Sequence, residues 1–245
     1  YGQLCDMRRL REIADKHGLK LIEDSAHCIE AVRDGVRPGQ LGDAACFSFY
    51  ATKNITCGEG GAITVHTQAA ADLLRKLSLH GMSKNAADRY RGAYQHWDMD
   101  TLGWKYNLSN VLASLLISQV PKMDAWCARR EAISRRYEEA FSRLAGVDFP
   151  HVIAGTKSAR HLFTIWVDPA RRDATLARIQ QAGVSVAVNF RAIHLLSYYR
   201  ERFGFRGGEF PVAEDIGNRT ITLPLYPRLT DEQVDYVIDS VARSL

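Results

Sequence analysis

Apolar positions recur at helical spacing from Met7 to His17, with Leu10, Ile13 and Ala14 on one side, and Gly18 supplies a stop. The run Leu19-Lys20-Leu21-Ile22 then reads as a strand that ends in Glu23-Asp24. After a turn bearing glycine and proline from Gly35 to Gly42, Ala44 to Tyr50 gives a second, nearly continuous apolar strand, and Ala62 to Val65 a third. Such runs suit the sheet centre of an α/β protein better than a sheet with one wet face, and ligands in that class gather beyond the carboxyl ends of the strands. Asp24 and Lys53 both fall at such ends. The pattern turns helical again from Gln68 to His80, from Asn110 to Gln119 and from Arg129 to Leu144, the last with an apolar stripe of Ile133, Tyr137, Phe141 and Leu144. Between the first two of these, Ser83 to Asn107 is long for a connection and carries Tyr90, Tyr94, His96, Trp97, Trp104 and Tyr106. That predicts a segment that covers a site or reaches another subunit.

Gly146 to Ala159, with Pro150, Gly155 and several polar residues, marks the expected domain boundary. It divides the chain into a larger domain, residues 1–150, and a smaller one, residues 151–245. In the smaller domain His161 to Val167 reads as a strand, Arg171 to Gln181 as a helix and Val184 to Phe190 as another strand. Thr230 and Gln233 form a capping box ahead of Val234, Val237, Ile238 and Val241 in a closing helix that runs to Leu245. This alternation predicts a smaller α+β or α/β layer.

Composition narrows the function classes. With 245 residues, 46% of them hydrophobic, the chain can bury a substantial core. The net charge of +4 comes from 32 Lys and Arg against 28 Asp and Glu, with no long basic block, so nucleic-acid binding is not expected. No segment approaches the roughly 18 consecutive apolar residues of a membrane helix. Cys5, Cys28, Cys46, Cys57 and Cys127 are odd in number and show no CxxC spacing, which fits a reduced, cytoplasmic setting better than a disulfide scaffold.

The candidate chemistry centres on Lys53, the single amine in Ser48-Phe49-Tyr50-Ala51-Thr52-Lys53-Asn54, followed by Gly58-Glu59-Gly60-Gly61. A lysine at the mouth of a low-dielectric site has a lowered pKa and can condense with a carbonyl. The same letters also describe a strand end marked by a solvated lysine. Asp24 sharpens the choice, because a carboxylate in such a site needs a cationic or hydrogen-bonding partner, and a protonated pyridine nitrogen would be one. Together Lys53 and Asp24 meet the requirements of pyridoxal phosphate, a Schiff-base lysine and an acid that keeps the ring electron-withdrawing. Ser48 offers a hydroxyl to the cofactor phosphate or to a local strand bond, and His27 follows Asp24 within reach of the cofactor edge. Glu23, Asp24, His27 and Glu30 crowd together, but no HExxH or comparable pair gives them metal-ligand spacing, and no metal is expected. GxSxG, GxGxxG and P-loop motifs are absent.

These residues together resemble the sugar-nucleotide aminotransferases of the DegT/DnrJ/EryC1/StrS family. The blocks that carry the resemblance are Ile22-Glu23-Asp24-Ser25-Ala26-His27, Gly42-Asp43 with Phe47 to Lys53, Gly58-Glu59-Gly60-Gly61-Ala62, His80-Gly81-Met82, and Gly103-Trp104-Lys105-Tyr106-Asn107. Phe210-Pro211-Val212-Ala213-Glu214 and Leu223-Pro224-Leu225-Tyr226-Pro227 extend it to the tail. The resemblance implies the α/β fold-type I aminotransferase scaffold, with residues 1–150 as the C-terminal part of the large cofactor-binding domain and its mainly parallel sheet, and residues 151–245 as a small α+β domain. It implies Lys53 as Schiff-base lysine and proton shuttle, Asp24 on the pyridine nitrogen, Ser48 on the phosphate and His27 beside the ring hydroxyl. Asn107 would reach the phosphate held by the neighbouring subunit of a homodimer with shared active sites. Glutamate would donate nitrogen to a nucleotide-linked keto sugar, a step of the kind used in polysaccharide biosynthesis.

Two departures from the family pattern stand out. Many members have a histidine in the small-domain segment ahead of the sugar site, where Val188-Asn189-Phe190-Arg191 has Asn189, while His194 is retained. Asn hydrogen-bonds but does not exchange a proton near neutral pH, so the change bears on substrate identity more than on Lys53. Family members also have a long stretch ahead of the point matching Tyr1, so the chain is expected to be the remainder of a longer enzyme. Rival readings are a sugar dehydratase on the same scaffold, disfavoured by Lys53 because such relatives carry histidine there, and a non-catalytic interaction or structural protein of the same descent.

Overall fold

The computed structural model describes residues 1–82 and 96–245. Tyr90 and Tyr94 lie outside the described residues. The chain forms two compact units, Leu4–Met123 and Asp124–Leu245, and Tyr1–Gln3 belongs to the second.

In the first unit, helix α1 (Met7–Lys16) starts at Asp6, whose carboxylate accepts the Arg9 N–H at 3.1 Å, and ends at Gly18, where φ is +64°. It buries Met7 and Ala14 and leaves Leu10 and Ile13 exposed. Strand β1 (Ile22–Asp24) and the short β2 (Val32–Arg33) precede β3 (Ala44–Ser48) and β4 (Gly61–Val65). The sheet order is β1-β3-β4. β1 and β3 are parallel, with Asp24 opposite Cys46, whereas β4 returns antiparallel to β3, with Gly61 opposite Ser48. No helix separates β3 from β4, and a parallel neighbour would need such a crossover, so the sheet is mixed. Helices α2 (Gln68–Ser78) and α3 (Asn110–Ile117) follow, capped by Thr67 and Ser109.

Two buried or half-buried carboxylates fix this sheet. Glu23 accepts the N–H groups of Gly42 at 2.9 Å and Gly39 at 3.0 Å, folding the turn before β3 under the strand. A Cβ at position 42 would stand 2.6 Å from Glu23 Oε1, so a side chain there would displace the carboxylate from these amides. Asp43 accepts the Leu21 N–H at 2.8 Å and meets Arg11 and Lys20 at 3.0 Å each. The Leu21 amide, then the two cations, hold its carboxyl well below the usual carboxylate range. The apolar runs predicted strands covered on both faces, yet Ile22 and Ile63 remain 68% and 50% exposed. They share one sheet face, which this unit covers only in part.

The second unit is built on helix α4 (Met123–Phe141) with β5 (Thr156–Lys157), β6 (Phe163–Trp166), α5 (Arg172–Gln181), α6 (Ser197–Phe203), α7 (Pro211–Arg219), β7 (Thr220–Leu223) and α8 (Asp231–Ser244). β6 and β7 pair antiparallel. Ile133, Tyr137 and Phe141 of α4 enter a core with Phe163, Ile165, Ile179, Ile221, Val234 and Val241. That packing places α4 with this unit, and the two compact units meet in the chain at Met123–Asp124. Val184 to Phe190, expected as a strand, forms only a single bridge between Ala187 and Thr222. The ladder stops because the Asn189 N–H goes to the Thr222 side-chain hydroxyl, at 3.2 Å, instead of to a backbone carbonyl. The capping box read from the sequence is present: Thr230 Oγ1 accepts the Gln233 N–H at 3.2 Å, and Gln233 Oε1 accepts the Thr230 N–H at 3.0 Å.

Candidate active site

β1 and β3 run side by side and open at the same end, so Asp24, the last residue of β1, and the turn that follows β3 are neighbours by topology. Asp24 is exposed, and its Oδ1 accepts the Ala26 N–H at 3.1 Å, which turns the chain toward His27. Lys53 sits in the turn after β3, its N–H donating to the Tyr50 carbonyl at 2.9 Å. Partial burial lowers its proton affinity from the ordinary lysine value, and the Asp24 carboxylate pulls the other way. His27 is affected more strongly: burial, then the positive charge of Lys53, push its pKa down to about 4, against the pull of Asp24. Asp24, His27 and Lys53 are therefore within electrostatic reach of one another, and at neutral pH the imidazole is uncharged.

A direct consequence can be measured. In a two-dimensional NMR titration His27 is expected to stay neutral from pH 7 down past pH 5 and to protonate near 4. Between its ordinary pKa and this lowered one the unfolded chain binds the extra proton and the folded chain does not, so this group's contribution to stability falls as pH drops through that window. A His27 titration midpoint at or above its ordinary value would show that its imidazole is not buried as the structure puts it, beside the charge of Lys53.

Ser48 closes β3, and its Oγ accepts the Tyr50 N–H at 3.3 Å. A hydroxyl that accepts there keeps its own proton to donate. The local bond and the outward donation weighed from the sequence are thus compatible. The loop itself is tightly fastened. Phe49 donates to Gly60 O at 2.8 Å, Phe49 O accepts from Cys57 N at 2.9 Å and from Thr56 Oγ1 at 3.1 Å, and Ile55 and Cys57 are buried. Beside Lys53, Asn54 Nδ2 donates to the buried Glu30 carboxylate at 2.8 Å. Gln119, just beyond α3, grips the Thr56 backbone at both poles, its Oε1 accepting the N–H at 3.0 Å and its Nε2 donating to the carbonyl at 2.7 Å. Sequence reading missed Asn54, Thr56 and Gln119 as a connected set, and weighed Glu30 only as a weak metal ligand. No local pattern announces a hydrogen bond between residues this far apart in the chain.

Asn107 is brought elsewhere. It is exposed, accepts from Lys105 Nζ at 2.6 Å, and lines a groove of about 740 Å³ with Phe47, Ile63, Leu74, Trp104 and Leu108; Asp24, His27, Ser48 and Lys53 are not among its walls. Asn189 and His194 belong to the other unit. The Asn189 carbonyl accepts the Tyr1 hydroxyl. His194 is buried, with Nε2 2.8 Å from Glu214 Oε1 and its ring edge-on to Phe205 and Phe210. Glu214 Oε1 also takes the Gly208 N–H at 2.7 Å and the Phe210 N–H at 3.3 Å, while Glu209 takes those of Arg206 and Gly207. His194, Glu209 and Glu214 are close enough together to hold a metal ion, but both carboxylates are already occupied in ordering this turn. Among the described residues no helix is long and apolar enough to cross a membrane.

Comparison with known proteins extends the sequence resemblance. The DegT/DnrJ/EryC1/StrS aminotransferase family matches residues 1–242. The spore coat polysaccharide biosynthesis protein SpsC of Bacillus subtilis (strain 168) is 38% identical over 247 residues, covering 98% of this chain and 63% of that protein. The crystal structure of S. venezuelae DesV in complex with a ketimine intermediate is 31% identical and superposes with a TM-score of 0.87, covering 99% of this chain and 62% of that one. The PLP-form of the putative sugar aminotransferase Spr1654 from Streptococcus pneumoniae is 27% identical, with a TM-score of 0.87 over 98% of this chain and 65% of that one. The chain thus spans a little under two thirds of the length of the relatives it matches. Its fold is that of the fold-type I aminotransferases.

Proposed function

Because this chain belongs to the DegT/DnrJ/EryC1/StrS aminotransferase family, we propose that it carries the reacting lysine of an enzyme that moves the amino group of glutamate, through pyridoxal phosphate, to a nucleotide-linked keto sugar. The observation that carries this reading is the meeting of a partly buried amine of lowered proton affinity, Lys53, with the Asp24 carboxylate at the open ends of two paired strands. Pyridoxal phosphate, when bound, supplies an electron sink beside the carbon that loses its proton.

The residues present fit that group. Asp24 is an exposed carboxylate already near a cation, suited to a protonated ring nitrogen. His27, neutral above about pH 4, borders the same space without adding charge. Ser48 keeps a hydroxyl proton for a phosphate oxygen. Lys53 Nζ has two tasks, to meet a carbonyl as a free amine and to hold and move a proton at the substrate carbon. Its burial serves both, since a lysine with reduced proton affinity is more often neutral and gives its proton up more readily. Asn107, exposed and away from this cluster, is suited to reach the phosphate held by a second copy of the chain in a homodimer with shared sites. Asn189, and the segment that His194 anchors, would bear on the sugar. A cytoplasmic setting suits an odd set of free cysteines.

The test is direct. The full chain is mixed with pyridoxal phosphate, reduced with borohydride and digested, and then assayed for glutamate-dependent amination of a keto sugar nucleotide. A single cofactor-sized mass on the peptide containing Lys53, together with amine transfer, is the expected result. Absence of the adduct sinks the reading, and loss of water from the sugar without an amino donor replaces it with a dehydratase.

A further inference from the structure

We infer that Glu30, acting through Asn54, and Gln119, acting through the Thr56 backbone, form a two-point clamp that sets where Lys53 points, and are positioning residues for its chemistry. The inference rests on the reading of Lys53 as the reacting amine. A lysine side chain is a flexible four-carbon stem, so the position of its nitrogen depends on how firmly the backbone beneath it is held. The turn is closed at its neck by the bonds from Phe49 to Cys57 and Gly60, but those bonds lie several residues from Lys53 and leave the residues around it to other restraints.

The two contacts supply those restraints. Asn54, the next residue, is tied at 2.8 Å to Glu30, and Glu30 is itself only 7% exposed. Breaking a hydrogen bond to so buried an acceptor leaves that acceptor unsatisfied away from water, so this tether resists rotation of the backbone at Lys53. Thr56 is held differently: one side-chain amide engages both its N–H and its C=O, in the manner of a neighbouring strand. Gln119 is in turn steadied by its Nε2, which also donates to Leu115 O at 2.8 Å in the last turn of α3. The lysine turn is thereby referenced to α3 on one side and to the segment after β1 on the other. His27 lies on that segment and Asp24 ends the strand before it, so the clamp fixes Lys53 relative to the groups it must work with.

The clamp is tested by exchanging donor and acceptor. Asn54→Asp sets a carboxylate against Glu30, and the double variant Asn54→Asp with Glu30→Gln restores one donor, one acceptor and the original charge. For the single variant the rate of borohydride-trapped adduct formation on Lys53 and the kcat for amine transfer are expected to fall about 10- to 100-fold, the scale on which misplacement of about 1 Å acts. KM for glutamate should hardly move, and because loss of folded protein would also lower kcat at constant KM, both rates are taken per folded chain, the folded fraction being read by circular dichroism. The double variant should recover most of the loss. Gln119→Glu, which keeps an acceptor for Thr56 N–H but turns a second oxygen toward Thr56 O, provides an independent arm should Asn54→Asp fail to fold, and is expected to slow both rates in the same way. Single variants that trap adduct as fast as the wild type, or a double variant no faster than Asn54→Asp, overturn the clamp. A wild-type chain that forms no adduct overturns both the clamp and the aminotransferase reading, so the two failures are told apart by the wild-type control.

Discussion

Replacing Lys53 with alanine is expected to lower glutamate-dependent amine transfer by at least about 10³-fold, because positioned proton transfer alone contributes about 10²- to 10⁴-fold and the variant loses the nucleophile as well. The trapped adduct should vanish with it. Stability should change little, within about 0.5 kcal/mol, since the side chain is only partly buried and its loss opens no cavity in the core. The loss has a second signature. Lys53 is one of the charges that keep His27 neutral, so its removal should raise the His27 pKa from about 4 toward the ordinary histidine range. Activity assays, mass spectrometry of the reduced protein and an NMR titration of His27 read these three effects separately. A Lys53→Ala chain that still transfers amine at wild-type rates would remove Lys53 from the chemistry, however well the rest of the site holds together.

The largest loss of stability is expected in the second unit, at Phe141. It is fully buried, its ring 5.7 Å from Tyr137 and 6.2 Å from Phe163, in the same core as Ile133, Ile165 and Ile221. Phe141→Ala removes a ring from close packing that relaxes only in part, a change that costs about 3–5 kcal/mol. Denaturant unfolding followed by tryptophan fluorescence and far-UV circular dichroism would measure it. An equally placed surface change on the same helix, Glu139→Ala, should stay within about 0.5 kcal/mol. If the two variants unfold alike, α4 does not enter this core as described.

The comparison of these two residues also indicates what the sequence makes readable. Phe141 belongs to a stripe with Ile133 and Tyr137, and periodicity alone places that stripe inward. What periodicity does not tell is which residues receive it, and α4 packs into the core built from β6, α5, β7 and α8. Asp24 and Lys53 were legible as residues at strand ends because the apolar runs before them stop abruptly. The parallel pairing of β1 with β3 then makes them neighbours, a step that needs topology as well as pattern. α7 and β7 were not read as separate elements, because Arg219 closes the helix and Thr220 opens the strand with no residue between them. Val184 to Phe190 failed as a strand for a tertiary reason, the capture of the Asn189 N–H by a threonine hydroxyl. Glu30, Asn54, Thr56 and Gln119 were hidden in the same way, since a polar contact between distant residues leaves no periodic trace.

The turn from Arg206 to Phe210 shows how order can be imposed from outside a segment. Its backbone N–H groups end on the carboxylates of Glu209 and Glu214, and His194 braces the second of these. Gly207 and Gly208 supply the positive φ angles of +105° and +92° that let the amides converge. In mutational terms the side chain of Arg206 is open to wide exchange, because among the described residues only its amide is used in ordering the turn. Glu214 tolerates almost none, because one carboxylate oxygen serves three donors. Variation at this rim can therefore accumulate in what the turn displays while its shape is inherited unchanged.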